Sequence, residues 1–128
     1  MKILVLEDNR ERINIFRNNL QTDGVSLTFA ITVPACVQAL ELEEYDYLFL
    51  DHDLGGKVYV PSDGDEETGW HVAKWLSEHP DRMPPQIFIH SLNENGRKNM
   101  MSLLPDATEL PFAWQLVKIR EAKPIQDN

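Results

Sequence analysis

The sequence predicts one three-layer α/β/α domain around a five-stranded parallel sheet of order 2-1-3-4-5, an expectation that rests on three observations. Short unbroken apolar runs, as in strands covered on both faces, alternate with stretches whose apolar residues recur at helical spacing. That strand-then-helix unit occurs five times, and no segment repeats another. Polar residues gather directly after the strand runs, where open parallel sheets place their binding sites.

Ile3-Leu4-Val5-Leu6 forms the first strand, an interior one. Ile13, Phe16 and Leu20 make one helical stripe that stops near Asp23-Gly24, where glycine accepts left-handed backbone. A second strand covers about Leu27–Ile31. Thr32 caps the next helix, with Pro34 in its first turn and Val33, Cys36, Val37 and Leu40 on its apolar face. Tyr47-Leu48-Phe49-Leu50 is the third strand, and Gly55–Glu67, without apolar period, is a long loop. Thr68 opens a helix with Val72, Trp75, Leu76 and His79 on one face, which Pro80 stops. Ile87-Phe88-Ile89 is the fourth strand. A helix from about Glu94 to Leu104, a short strand at Thr108–Leu110 and a last helix through Trp114, Val117 and Lys118 follow. The domain is expected over 1–123, with 124–128 a loose tail.

With 42% apolar and 26% charged residues and no run near the roughly 20 apolar residues of a membrane span, a soluble protein is expected. MKILVLED lacks the apolar region and cleavage site of a secretory signal, so a cytoplasmic setting is expected. Cys36 is the only cysteine and sits between Ala35 and Val37, as a core residue rather than a nucleophile. A net charge of −9 repels phosphate backbones and disfavours an extended nucleic-acid surface. A phosphorylated ligand would need local help from a divalent cation or from Arg97 and Lys98.

Glu7-Asp8-Asn9 ends the first strand, Asp51-His52-Asp53 the third and His90-Ser91-Leu92-Asn93 the fourth. Carboxylates converging on one rim repel unless a cation neutralises them, and oxygen ligands with solvent suit Mg²⁺. The competing reading is that these acids are solvated, or that Asp8 caps the first helix. Trp70, Trp75 and Trp114 are expected against the sheet, with base stacking by Trp70 as the alternative. His71 caps its helix or lines the pocket, and His79 complements the same helix's negative end. Asp63, Asp65, Glu66 and Glu67 read as a solvated lid, with metal capture the less favoured role.

Glu7-Asp8, Asp51, Ser91 and Thr68-Gly69 together resemble the receiver domains of response regulators, over essentially the whole chain. The resemblance implies a flavodoxin-like fold, Mg²⁺ on Glu7 and Asp8, a phosphoryl acceptor at Asp51 and a contacting hydroxyl at Ser91. Receivers carry a lysine before the proline that follows strand five; here Glu109-Leu110-Pro111-Phe112 has none, which argues against ordinary phosphorelay switching. His52-Asp53-Leu54-Gly55-Gly56, Thr68-Gly69-Trp70 and His90-Ser91-Leu92-Asn93-Glu94-Asn95-Gly96 resemble a divergent branch, the cyclic-phosphate-processing receiver-like domains. That branch is proposed to act on cyclic phosphate ends of RNA.

Such chemistry needs an activated water, a protonated leaving alkoxide and charge stabilisation at phosphorus. His52 and His90, leaving adjacent strands, are the candidate acid and base, with Asp51 and Ser91 catalytic beside them and Asn93, Arg97 and Lys98 on the phosphate. Glu7, Asp8, Asp51 and Asp53 are the candidate ligands for Mg²⁺ in first place, with Mn²⁺ or Zn²⁺ as alternatives. Strand alternation raises an objection: if Asp51 and Ser91 face the site, His52 and His90 both point away. Three further readings stay open: the histidines as metal ligands, the histidines as structural partners of nearby carboxylates, and a receiver that signals through a protein partner.

Overall fold

A computed structural model describes residues 1–54, 60–64 and 66–110. The expected last helix through Trp114, Val117 and Lys118, and the tail 124–128, lie outside the described residues.

The chain runs β1 (Lys2–Leu6), α1 (Arg10–Leu20), β2 (Ser26–Ala30), α2 (Val33–Leu42), β3 (Tyr47–Leu50), α3 (Gly69–Glu78), a 3₁₀ turn (Pro80–Arg82), β4 (Gln86–His90), α4 (Glu94–Leu103) and β5 (Thr108–Leu110). All strand pairs are parallel, and the sheet order is β2-β1-β3-β4-β5, as the alternation predicts. Leu6 pairs with Ala30 and Leu50, Leu50 with Ile89, and His90 with Leu110, so the strands finish nearly level. The residues after them therefore share one rim.

Alternation divides the interior into two layers. Leu4, Leu6, Leu48, Leu50, Ile87 and Ile89 pack with α2, α3 and α4, while Ile3, Val5, Phe49 and Phe88 pack with Phe16 and Leu20 of α1. Trp70 and Trp75 lie half-buried against the first layer, as expected of sheet-packing residues. Among the described residues, no helix is long and apolar enough to cross a membrane.

Helix starts follow side-chain chemistry. Thr32 accepts from the Ala35 amide, a cap worth about 1 kcal/mol. Asn9, rather than Asp8, caps α1 by accepting from Arg12 N, because Asn9 holds the extended backbone just before the first helical residue. Thr68 caps α3 while the His71 ring accepts from the Thr68 amide, a reciprocal pair that places His71 at the cap. At the other end of α3 the exposed His79 stacks on Trp75 at 4.3 Å and bonds the Trp75 carbonyl at 2.8 Å. Helix α1 stops at Leu20, earlier than Asp23-Gly24 suggests; Gly24 takes φ 81° in the turn before β2.

Candidate active site

Two polar clusters stand at the carboxyl rim, one on each side of the sheet. Glu7, Asp51 and His90 continue the Val5, Phe49 and Phe88 side and face α1, where the His90 ring meets Phe16 edge-on at 4.8 Å. His52 continues the Leu48 and Leu50 side and meets α4. The alternation objection therefore resolves in an unforeseen way: His90 accompanies Asp51, and His52 accompanies Ser91, because the parity of each position along its strand decides its side. The two imidazoles bond to different partner sets, so the expectation that both reach one phosphate as acid and base lacks geometric support.

In the first cluster the buried Glu7 accepts from Arg12 Nε at 2.7 Å, from Arg12 Nη2 at 3.3 Å and from the Asn9 amide at 3.0 Å, and its Oε1 lies 3.1 Å from His90 Nε2. Arg12 Nη2 also donates to Asp51 Oδ2 at 3.3 Å. Burial raises the Asp51 carboxyl, the charge and hydrogen bond of Glu7 add to that, and together they outweigh Arg12, pushing it up to about 9. Burial acts on Glu7 the same way, but His90, Arg12 and the Asn9 amide prevail and take it down to about 2. At neutral pH the carboxyl pair thus keeps one proton, on Asp51. One ligand atom each from Glu7, Asp51 and His90 lies within 4.8 Å of the others, a spacing that one divalent ion can bridge. His90 Nδ1 is buried without a hydrogen-bond partner among the described residues. The half-exposed Asp8 flanks this cluster, and Asp53 belongs to the other one.

The second cluster is a chain of hydrogen bonds. Asp53 Oδ1 lies 2.8 Å from His52 Nδ1 and accepts from the Val60 amide at 3.2 Å and from Asn93 Nδ2 at 3.0 Å. His52 Nε2 lies 2.8 Å from Ser62 Oγ, which accepts from Asn99 Nδ2 at 3.0 Å. Asn93 is shared: its Oδ1 caps α4 by accepting from Gly96 N, and its Nδ2 also holds the Val60 carbonyl. Ser91 Oγ accepts from the Asn93 amide at 3.1 Å, and the Ser91 carbonyl accepts from Arg97 Nη1. Arg97 Nε is buried without a partner among the described residues. Lys98 pairs with Glu94 at the surface, 3.2 Å away. Leu110, where a receiver lysine would stand, is buried with the α1-side layer. The Cys36 thiol, fully buried, is pushed up to about 12, consistent with a core residue.

Sequence reasoning missed Arg12 and Ser62. Arg12 had a detectable signal, since Arg12, Phe16 and Leu20 recur every four residues on the face α1 turns to the sheet. Ser62 had none: it lies in a stretch without periodicity, and its partner is ten residues away.

A family model described as the cyclic-phosphate processing receiver domain matches residues 2–106. By sequence, no match is found among curated proteins. Solved structures with the same fold include the phosphorylated cyanobacterial phytochrome response regulator RcpA, at TM-score 0.70 and 18% identity over 94% of this chain and 89% of that one. TrrA of Thermotoga maritima, in complex with Mg²⁺ and beryllofluoride, matches at TM-score 0.69 and 17% identity, over 97% and 98% of the two chains. The Mn²⁺-bound response regulator Rcp1 matches at TM-score 0.72 and 14% identity, over 98% and 96%.

Proposed function

Because this chain belongs to the cyclic-phosphate-processing receiver domains, we propose that it opens a cyclic phosphate, on a nucleotide or an RNA end, using His52 and Asp53 to move the proton. The observation that carries this reading is the buried Asp53–His52 pair at 2.8 Å. A carboxylate that accepts from Nδ1 fixes the tautomer, leaving Nε2 as the base and stabilising the imidazolium once it forms. Asp53 also accepts from Val60 N and Asn93 Nδ2, so the base is held in place before any substrate arrives.

Glu7, Asp51 and His90 are the residues that would hold a divalent cation, and His90 is then a ligand rather than an acid or base. Two carboxylates with one imidazole suit Mn²⁺ or Zn²⁺ at least as well as Mg²⁺. Bound on the α1 side of the rim, the ion would supply positive charge to the buried carboxyl pair, while the proton transfer is assigned to the other cluster. Arg97, whose Nε is buried without a partner among the described residues, is the side chain suited to a phosphate oxygen.

A phospho-accepting receiver that signals through a protein partner is the second reading. The resemblance to receivers assigns the acceptor's role to Asp51 and the contacting hydroxyl to Ser91, and the solved neighbour RcpA is phosphorylated. Against it, Leu110 offers no ammonium, and Asp51 is buried, protonated and bonded by Arg12.

Incubation with 2′,3′-cyclic nucleotides and Mn²⁺ or Mg²⁺ tests the proposal. Ring opening that falls by about 10²-fold or more in His52→Gln is the expected result. Absence of ring opening, or unchanged turnover in that variant, overturns it.

A further inference from the structure

We infer that Ser62 is the nucleophile of this site, activated by His52 and Asp53 as a serine–histidine–aspartate relay. The inference rests on the proton-transfer role of His52 and goes beyond it by naming the attacking atom.

With His52 as a neutral imidazole, the donors and acceptors are satisfied in one arrangement. Asp53 accepts from His52 Nδ1 at 2.8 Å, so the Nδ1 proton is committed and Nε2 presents a lone pair. Ser62 Oγ lies 2.8 Å from that Nε2. Asn99 Nδ2, which can only donate, occupies one lone pair of the same Oγ at 3.0 Å. The hydroxyl proton is therefore directed at His52, the ground-state geometry a serine needs to lose it on attack. Asn99 also stays in place to stabilise the alkoxide as it develops.

Ser62 opens onto a groove of about 470 Å³ between the 60–63 segment and the first turns of α4. Asn95, Lys98 and Asn99 line its far wall, providing amide donors and one ammonium for an anionic ester. His52 is pressed against Gly96, where a Cβ would lie 2.4 Å from the ring, so the imidazole cannot swing towards α4.

The chemistry balances in two steps. Ser62 Oγ attacks phosphorus, its proton passes to His52 Nε2, and the P–O bond to one ribose oxygen breaks; that oxygen takes the proton from His52. The product is a phosphodiester between Ser62 and the opened nucleotide. Water then attacks phosphorus, giving a proton to His52, the Oγ–P bond breaks, and Oγ recovers the proton as the monoester leaves.

A fluorophosphonate probe tests the nucleophile independently of the natural substrate. Peptide mass mapping is expected to place the adduct on Ser62, about 100-fold or more faster than on the exposed Ser77 and Ser102. An unlabelled Ser62 in protein of native circular dichroism, or equal labelling of all three serines, overturns the inference. Turnover of 2′,3′-cyclic AMP separates the two readings. Turnover lost in both Ser62→Ala and His52→Gln supports the relay, whereas turnover that survives Ser62→Ala makes water the nucleophile and overturns the inference while leaving ring opening intact. Labelling of Ser62 without any ring opening keeps the relay and removes the cyclic-phosphate substrate.

Discussion

A side chain on Gly96 would collide with His52: its Cβ would stand 2.4 Å from Cγ and 2.7 Å from Nδ1 of the imidazole. The first turn of α4 is thus fitted to the base of the proposed reaction, and only glycine leaves room there.

Gly96→Ala must shift the ring or the helix. Overpacking of this kind costs about 1–3 kcal/mol, offset by up to about 1 kcal/mol of better helix propensity. Urea denaturation is expected to show a net loss, and phosphoester turnover is expected to fall by more than the population of folded protein does. A variant as stable and as active as the parent contradicts the packing argument.

The carboxyl pair sets a pH dependence for the metal-free protein. Asp51 keeps its proton to about 9 when folded but releases it near 3.8 when unfolded, so it costs stability increasingly as pH rises between those values. Glu7 has the opposite sign: lowered from 4.5 to about 2, it contributes stability that is present above 4.5 and lost as pH falls towards 2. The pair is least costly near pH 4 to 4.5. Asp51→Asn, which keeps the shape without the proton, is expected to raise the urea midpoint at pH 8 and to lose that advantage near pH 4. A gain independent of pH contradicts the assignment.

Arg12 supplies the positive charge among these acids, with contacts to both Glu7 and Asp51. Arg12→Ala is expected to tighten Mn²⁺ binding about 10-fold or more by calorimetry and to lower metal-free stability, since it leaves two buried carboxyls without their cation. Glu7→Gln is expected to weaken Mn²⁺ binding. Weaker binding in Arg12→Ala would show that the guanidinium supports the ion site rather than competing with it.

Much of this was legible in the sequence. Strands buried on both faces leave unbroken apolar runs such as Tyr47–Leu50, and the rim residues Glu7, Asp51, His52, Asp53, His90 and Ser91 follow directly from where those runs stop. Less legible was how the rim divides. Which side His52 or His90 takes depends on a one-residue parity at the end of a strand, and the strand runs alone do not say where pleating ends. Ser62 joins His52 through a loop closed by tertiary contacts to Asn93 and Asn99 of the α4 region, and no local pattern encodes such a closure.

Leu110 separates this rim from that of a switching receiver. Among the described residues Asp51 meets the Arg12 guanidinium, and strand five ends on Leu110 rather than a lysine, so acetyl phosphate is expected to leave the intact mass unchanged under conditions that label an ordinary receiver. A stable adduct on Asp51 would move the balance to the signalling reading.

The most direct test of the central claim is ³¹P NMR of a 2′,3′-cyclic nucleotide mixed with excess protein and Mn²⁺, with the metal chelated before the spectrum is taken. Conversion of the ring-phosphate resonance to a monoester by wild-type protein, with none in His52→Gln, is the result the account predicts. A ring resonance that persists with stoichiometric, folded, metal-loaded protein would contradict it.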